Sequence, residues 1–392
     1  MHALTKDFFG KFHIGTYYLQ ANARTESHIK DLSDCGIDLV FGMNCDEAAL
    51  DLFHKHGVGA VAAGVVPGWF GGNGDNAGTM CQRNSREKYV EGIRTFSDHP
   101  AIIGIDLGDE PSSADFPYYG QVAELVRELL PDKFLYLNLY PSYGMLAANS
   151  EAQTQKELGV PIYREYLEAY CENVELPYLS FDHYAYTSGT ERLLSDLETA
   201  ASCCRAYGKK LFVVLQVNSY EETVFLSEAQ LLFQAFSALA YGASAVSWAC
   251  YSAGWWHNQV LDPEGNKTQQ YEKLKSVNQK LRYLAAEYMK YRWVATERTR
   301  GGSRAEFGAF REVTASQDAL LGKFQNEDGG EALFVSFPDD RGTGNRSLRF
   351  RLEGGRQACL YRSNGEKETL SEADGVYSIM LAAADACFIS VH

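Results

Sequence analysis

The chain has 392 residues, of which 45% are hydrophobic and 22% charged, so it can bury the core of one large domain and one smaller domain. Its net charge of −15 excludes nucleic acid and anionic membranes as expected partners. The nine cysteines are odd in number and lack Cys-x-x-Cys spacing, which favours reduced thiols in a cytoplasm over disulfides or a metal site. The most apolar stretch, residues 236–256, is interrupted by Gly242 and several serines, which favours a helix and core strand over a membrane span.

Eight short apolar runs recur along the first 250 residues. They lie at residues 12–17, 39–43, 59–66, 101–108, 134–139, 178–181, 211–215 and 245–250. The segments between them have helical periodicity, for example at residues 47–56, 86–97, 119–130, 191–207 and 228–241. Alternating strands and helices indicate parallel pairing, and eight such units predict an α/β fold, a closed (β/α)8 TIM barrel. Its active site is then expected at the carboxyl ends of the strands.

The fourth predicted strand ends in Asp109-Glu110-Pro111. Because side chains alternate along a strand, Glu110 is expected to point into the barrel mouth with Asp106 below it. The same alternation aims Asp109 elsewhere, unless the strand ends there. Adjacent carboxyl groups in a partly dry cleft raise each other's pKa, as a proton donor requires. The alternative is a surface turn in which the two acids cap the next helix.

The sequence changes character after a long predicted helix at residues 268–290. A linker bearing Gly and Arg is predicted at residues 298–304, and short strands follow at 319–324, 332–337, 347–352, 358–361, 376–380 and 387–391. Residues 326–330 and 363–365 have the composition of hairpin turns. We therefore predict a barrel domain over residues 1–297 and a small antiparallel β-sandwich over residues 305–392, which we expect to brace the barrel.

Five short motifs carry a resemblance to a known class of enzymes. They are HPAIIG at 99–104, GDEP at 108–111, DHY at 182–184, VLQ at 214–216 and GASAVSW at 242–248. Together they resemble glycoside hydrolases of the clan A type, similar to β-galactosidase-like barrels with an appended β-sandwich. The resemblance covers residues 10–290 loosely. It implies hydrolysis of O-glycosidic bonds in an oligosaccharide or glycoconjugate, with Glu110 as general acid and without a cofactor.

One position departs from that family. Clan A enzymes carry a glutamate nucleophile at the end of strand seven, where this chain has Gln216, and an amide is a very poor nucleophile. In one account, Asp109-Glu110 is similar to the strand-four pair of family 20 and 123 hexosaminidases, whose substrate supplies its own 2-acetamido nucleophile. In a second, Glu110 is the acid of an inverting enzyme and Asp182 its base. In a third, Gln216 replaces a glutamate and the protein does not hydrolyse its substrate.

The candidate catalytic residues are therefore Glu110, Asp109 and Asp182. For Asp182, the roles of base, sugar ligand and structural residue all stay open. The candidate sugar contacts at the strand ends are Tyr17, Asn44, Trp69, Asn138, Tyr140, His183, Tyr184, Gln216, Asn218, Trp248 and Trp255. Aromatic rings can stack on pyranose faces and amides can pair with hydroxyl groups, although core packing is an equal alternative for Trp248.

These residues predict a carbohydrate substrate as partner, with no metal, nucleic acid or membrane, and they leave the oligomeric state open. The competing hypothesis is a non-catalytic carbohydrate-binding protein on a degenerate glycosidase barrel. It is motivated by the amide at Gln216.

Overall fold

The computed structural model describes residues 8–43, 46–146, 148–252, 254–341 and 343–392. Eight parallel strands form one sheet: β1 (His13–Tyr17), β2 (Leu39–Met43), β3 (Gly59–Ala62), β4 (Ile102–Asp109), β5 (Phe134–Asn138), β6 (Tyr178–His183), β7 (Lys210–Gln216) and β8 (Ala243–Ala249). Their order is β5-β4-β3-β2-β1-β8-β7-β6. A single parallel bridge between Leu139 and Phe181 joins the two ends, so the predicted (β/α)8 barrel is confirmed.

The helices that alternate with these strands follow the sequence pattern closely. They are α1 (Glu26–Asp34), α2 (Glu47–His56), α3 (Met80–Arg83), α4 (Arg86–Arg94), α5 (Phe116–Leu129), α6 (Glu151–Leu158), α7 (Tyr163–Asn173), α8 (Ala185–Ser188), α9 (Thr190–Tyr207), α10 (Glu228–Ala240) and α11 (Gln270–Tyr288). Local signals set their ends. Asp46 accepts a hydrogen bond from the backbone of Ala48 at the start of α2, and Gly57 ends that helix in the left-handed region.

Aromatic side chains fill the barrel interior. The ring of Phe41 lies 4.4 Å from that of Tyr136 and 5.7 Å from that of Phe212, measured between centroids. Gly15 makes room for this layer, because a Cβ atom there would lie 2.5 Å from the Phe41 ring. The interior is therefore packed, and the polar chemistry is confined to the ends of the strands.

The C-terminal strands form two antiparallel sheets, which confirms the predicted β-sandwich. The strands are β9 (Arg292–Thr299), β10 (Arg304–Phe307), β11 (Phe310–Ala315), β12 (Ala319–Gln325), β13 (Glu331–Ser336), β14 (Asn345–Leu352), β15 (Ala358–Arg362), β16 (Lys367–Thr369), β17 (Tyr377–Ala382) and β18 (Ala386–Val391). One sheet has the order β10-β11-β14-β17 and the other β16-β15-β18-β13-β12-β9. Apolar side chains of both sheets, such as Phe350 and Leu333, share one core.

The two hairpin turns of this sandwich were predicted correctly, but the linker that precedes it was not. Residues 326–330 join the antiparallel pair β12 and β13, and residues 363–365 lie between β15 and β16, so both predicted hairpins are confirmed. The linker predicted at residues 298–304 is wrong at both ends. Strand β9 extends to Thr299 and pairs with β12, and β10 begins at Arg304.

The described residues form two compact units. One comprises residues 8–225 with Ala245–Tyr271, and the other comprises Leu226–Ser244 with Glu272–His392. Helix α10 belongs to the second unit, where the carbonyl oxygen of Ala240 accepts a hydrogen bond of 2.7 Å from Thr296 Oγ1. The domain limits at residues 297 and 305 stay a prediction.

Two general properties of the described chain bear on its setting. The described cysteines are free thiols, and most of them are buried. None of the helices in the described ranges combines the length and apolar character that crossing a membrane requires.

Candidate active site

A cavity of about 510 Å³ opens at the carboxyl ends of the barrel strands. Its lining consists of Tyr17, Tyr18, Phe70, Asp109, Glu110, Asn138, Tyr143, Gly144, Met145, Leu146, Asp182, Tyr184, Thr187, Val214, Tyr220, Trp255 and Trp256. The carboxylates in this described lining come from β4, the residue after it, and β6. The same lining includes no lysine, arginine or histidine. The cavity is therefore acidic at its centre and mostly aromatic or aliphatic around it.

A bulge in β4 brings both acids of the sequence motif into the cavity. Asp106 pairs with Tyr136 of β5, but Gly108 pairs with the next residue, so Leu107 is an extra residue on β4. The bulge reverses the alternation and gives Asp109 the inward register of Asn138. Glu110 follows with φ of 46°, in the left-handed region, which turns its side chain back into the cavity. Regular alternation, which aimed Asp109 elsewhere, is therefore a wrong expectation here.

A chain of hydrogen bonds orients the carboxyl groups. Asn138 Nδ2 donates to Asp182 Oδ1 at 2.8 Å and to Asp109 Oδ1 at 3.2 Å. Ser180 Oγ donates to Asn138 Oδ1 at 3.1 Å and is itself 3.2 Å from the Tyr136 hydroxyl. Because Oδ1 already accepts from Ser180, the amide of Asn138 must present its two N–H groups to the carboxylates. This arrangement favours the ionised forms of Asp109 and Asp182.

Crowding and burial raise the pKa of all four carboxyl groups in this region. Burial raises the pKa of Asp106 to about 7, and the nearby charge of Asp109 adds to it. Burial raises the pKa of Asp109 to about 6, against the lowering effect of its hydrogen bond from Asn138. For Asp182, burial and then the charge of Asp109 raise the pKa to about 7.

Glu110 has the most strongly raised pKa of the group. Burial is the largest cause, followed by the charges of Asp182 and Asp109 and by a hydrogen bond to the Asp182 side chain. Burial and the neighbouring charges therefore favour the protonated form of Glu110. A neutral glutamic acid at the floor of a cleft can donate a proton to a bound oxygen atom.

The cavity brings together many of the residues predicted from sequence. Those that line it are Tyr17, Asp109, Glu110, Asn138, Asp182, Tyr184 and Trp255, while Asn44 lies outside the described residues. Their roles stay predictions.

Other predicted contacts do not line the cavity and instead support it. Gln216 is buried and donates to Thr187 Oγ1 and to the carbonyl of Asn218, each at 3.2 Å. Asn218 in turn donates to the carbonyl of Trp255 at 2.8 Å. The buried Tyr140 hydroxyl donates to the carbonyl of Gly72. These side chains hold the loops that carry lining residues.

Three further predicted residues lie below or behind the lining. Trp248 is completely buried, and Trp69 is nearly so. His183 is also completely buried, which lowers its pKa to about 3, and its ring packs edge-on against Tyr143. His183 is therefore neutral at physiological pH. Within the described ranges, no group of three or more His, Cys, Asp or Glu side chains is arranged to hold a metal ion.

Several lining residues were not among those predicted from sequence. They include Tyr143, Met145, Leu146, Thr187 and Tyr220. Their positions shortly after the fifth, sixth and seventh strands were the available signal. Aliphatic and hydroxyl side chains have no chemical signature of their own at such positions, so they could not be selected from sequence.

Comparison with known proteins identifies the fold but not a family. No protein-family model matches the sequence, and no curated protein matches it significantly. Among solved structures, a cycloisomaltooligosaccharide glucanotransferase from Paenibacillus sp. superposes with a TM-score of 0.60 at 8% identity, covering 99% of this chain and 86% of that one. A GH42 β-galactosidase from G. stearothermophilus gives 0.57 at 7% identity, covering 97% and 98%. An Anoxybacillus α-amylase gives 0.53 at 8% identity, covering 98% of each chain. The chain therefore shares the barrel fold of carbohydrate-active enzymes.

Proposed function

We propose that this protein is a glycoside hydrolase that cleaves O-glycosidic bonds of an oligosaccharide or glycoconjugate, with Glu110 as general acid. The observation that carries the proposal is the position of Glu110, which lines the cavity together with Asp109 and Asp182 and whose pKa is raised by burial and by these neighbouring charges. Protonation of the glycosidic oxygen is the step that such a group catalyses. The fold shared with glycoside hydrolases agrees with this chemistry but does not by itself argue for it.

The contact between Glu110 and Asp182 bears on the mechanism. A retaining nucleophile is about 5–5.5 Å from the acid, and an inverting base about 6.5–9.5 Å. Asp182 instead interacts directly with Glu110 and raises the pKa of that acid. This favours a mechanism in which the substrate supplies the nucleophile, and Asp109 then orients that group. Asp182 would hold the proton on Glu110 until the substrate arrives.

The contacts of Gln216 argue against a simple loss of a glutamate nucleophile. Its Nε2 donates to the carbonyl of Asn218 and to Thr187. A glutamate at this position would have no proton for that carbonyl and would bring two acceptors together. The amide therefore suits the loops around it, which supports a site that works without a strand-seven nucleophile.

A panel of aryl glycosides tests the proposal. It pairs glucosides and galactosides, as both anomers, with their 2-acetamido counterparts. We expect wild type to cleave the 2-acetamido sugars, and Glu110→Gln to lose about 10²–10⁴-fold in kcat, because a general acid contributes that much. The loss should be largest for poor leaving groups, which need the proton most.

Matched controls separate chemistry from damage. Glu124→Gln makes the same change on the exposed face of α5 and should leave turnover unaltered. Cleavage of plain glycosides by wild type would instead favour inversion. If Glu110→Gln retained full activity on an unactivated glycoside, the assignment of the acid would be wrong. Binding of the panel sugars without any cleavage would favour the carbohydrate-binding alternative, which the aromatic lining would also suit.

The expected compartment remains the cytoplasm. The free thiols of the described cysteines support a reducing environment.

A further inference from the structure

Three apolar side chains in the cavity lining follow β3 and β5, and we call them the apolar rim: Phe70, Met145 and Leu146. All three line the cavity, and Phe70 and Leu146 expose 46% and 36% of their surface. An exposed phenylalanine and an exposed leucine in the lining of one cavity leave apolar surface in water that an apolar ligand could cover. The aliphatic members of the rim also have no group that could pair with a sugar hydroxyl.

The loops that carry the rim are braced against each other. Gln153 of α6 donates to the carbonyl of Asn73 at 2.6 Å and to Glu157 Oε1 at 2.9 Å. The other oxygen of the buried Glu157 accepts from the backbone of Met145 at 2.9 Å. Tyr140 ties the same two loops through the carbonyl of Gly72. The rim is therefore formed before any ligand binds, which lowers the entropic cost of using it.

One member of the rim, Phe70, lies on a segment that pairs with the backbone beside the proposed proton donor. Phe70 forms a parallel bridge with Asp109, and the backbone of Gly71 donates to the Asp109 carbonyl at 3.2 Å. A Cβ atom on Gly71 would lie only 1.9 Å from the carbonyl oxygen of Glu110. A general acid contacts the oxygen that joins the sugar to its leaving group. Apolar surface next to the acid is thus in position to contact the leaving group.

The lining residues that follow β1, β6 and β8 have a different chemistry. The ring of Tyr184 is 4.8 Å from Trp256 and 6.0 Å from Trp255 between centroids, and Tyr18 is 6.0 Å from Trp255. Trp256 is held at φ of 66°, an unusual backbone for this residue. Flat rings in a fixed arrangement suit the faces of a sugar, whereas flexible aliphatic side chains do not.

We propose that the apolar rim is the binding subsite for an apolar aglycone, so that the substrate is a glycoside of a hydrophobic alcohol. This inference rests on the proposed hydrolase function. The described lining has no cation that would select a phosphate or carboxylate in the leaving group. A second sugar as leaving group would find few polar partners on this side, because the rim offers only methyl, thioether and phenyl groups.

A series of alkyl glycosides tests the proposal. Methyl, butyl and hexyl glycosides of a sugar that the wild type cleaves have leaving groups of similar acidity, so chain length changes contact and not chemistry. We expect kcat/KM to rise about fourfold for each methylene that leaves water. Phe70→Ala and Leu146→Ala should each reduce the hexyl-to-methyl ratio several-fold.

Ile162→Ala is the matched control, since Ile162 is an exposed apolar residue that does not line the cavity. It should leave the hexyl-to-methyl ratio unchanged. A ratio near one in the wild type, or a ratio unaffected by both rim substitutions, would overturn the aglycone subsite. Disaccharides cleaved better than every alkyl glycoside would overturn it as well.

A binding measurement keeps this test separate from the hydrolase proposal. Calorimetry on Glu110→Gln compares methyl and hexyl glycosides of the four panel sugars without turnover. Tighter binding of the hexyl compounds, lost in Glu110→Gln/Leu146→Ala, supports the rim even if wild type cleaves nothing, in which case only the hydrolase proposal fails. If the wild type cleaves glycosides at a rate that does not depend on chain length, the hydrolase proposal stands and only the aglycone subsite fails.

Discussion

At the scale of single residues, the main feature of the site is a cluster of carboxyl groups that compete for protons. Burial raises the pKa of four carboxyl groups, Asp106, Asp109, Glu110 and Asp182, and the charge of Asp109 raises the pKa of the other three further. The N–H groups of Asn138 offset part of that cost for two of them. The pair of Glu110 and Asp182 then retains one proton, because two like charges in contact cannot both be ionised in a partly dry site.

Asp106 should make the protein less stable at neutral pH than in mild acid. Its pKa is raised to about 7 in the folded state, above about 3.9 in the unfolded chain. Between these values the unfolded chain has released the proton and the folded chain has not, so stability falls as pH rises from about 4 to about 7. We expect Asp106→Asn to flatten this part of the profile and to gain on the order of 1–2 kcal/mol in unfolding free energy above pH 7.

Urea unfolding of wild type and Asp106→Asn at a series of pH values measures this effect. The asparagine Oδ1 can still accept the 3.0 Å hydrogen bond from the backbone of Gly108, so the local fold should persist. Glu124→Gln, on the exposed face of α5, reports the effect of removing one negative charge in general. Parallel pH profiles for Asp106→Asn and wild type would contradict the prediction.

The sequence predicted that Asp109, Glu110 and Asp182 lie at strand ends, but not how their side chains are oriented. Glu110 and Asp182 follow apolar runs that had to be strands, so the barrel topology alone brings them to one end. The inward turn of Asp109 depends on an extra residue at Leu107, and that of Glu110 on a left-handed backbone. Both features are imposed by pairing with distant strands and leave no mark on local periodicity.

At the scale of elements, strands of the barrel could be predicted from local sequence, whereas the first strand of the C-terminal sandwich could not. The buried β7 is a continuous apolar run and was read correctly from sequence. Strand β9, Arg292–Thr299, is half-buried and mixes charged with apolar residues, so it was not predicted as a strand, and its last two residues were assigned to the linker. Its assignment depends on pairing with β12, which begins twenty residues later than β9 ends.

Helix α6 should control ligand affinity through the loop that it anchors. The buried carboxylate of Glu157 accepts from the backbone of Met145 and from Gln153, so both oxygens are needed as acceptors. In Glu157→Gln the new N–H group must face one of these donors, which costs about 1–3 kcal/mol and loosens the apolar rim. We expect KM for the hexyl glycoside to rise about tenfold at a nearly unchanged kcat.

Steady-state kinetics with the methyl and hexyl glycosides check this expectation. Glu151→Gln, on the same helix but exposed, is the matched control and should behave as wild type. An equal loss for both glycosides would mean that Glu157 acts on the whole cavity and not on the rim. A fall in kcat with constant KM would instead indicate an effect on Glu110.

At the scale of the whole molecule, negative charge should disfavour anionic substrates both at long range and at contact. The chain carries a net charge of −15, and its cavity presents carboxylates without a described cation in the lining. The overall field repels an approaching anion over about a Debye length, and the cavity repels it again at contact. Added salt screens the first effect far more than the second.

An anionic substituent on the sugar should therefore lower kcat/KM, and added salt should restore part of that loss. We compare an aryl glycoside that the enzyme cleaves with its 6-sulfate, which keeps the leaving group constant. At low ionic strength kcat/KM for the sulfate should be on the order of 10²-fold lower, from one like charge a few ångströms away at intermediate dielectric. Raising the salt to about 0.5 M should recover part of that loss and leave the neutral glycoside unchanged. The recovered part measures the field of the molecule as a whole, and the residual part measures the carboxylates around Glu110. Equal cleavage of both compounds at low salt would mean that neither field reaches the bound sugar, and would contradict a cavity whose described charges are all acidic.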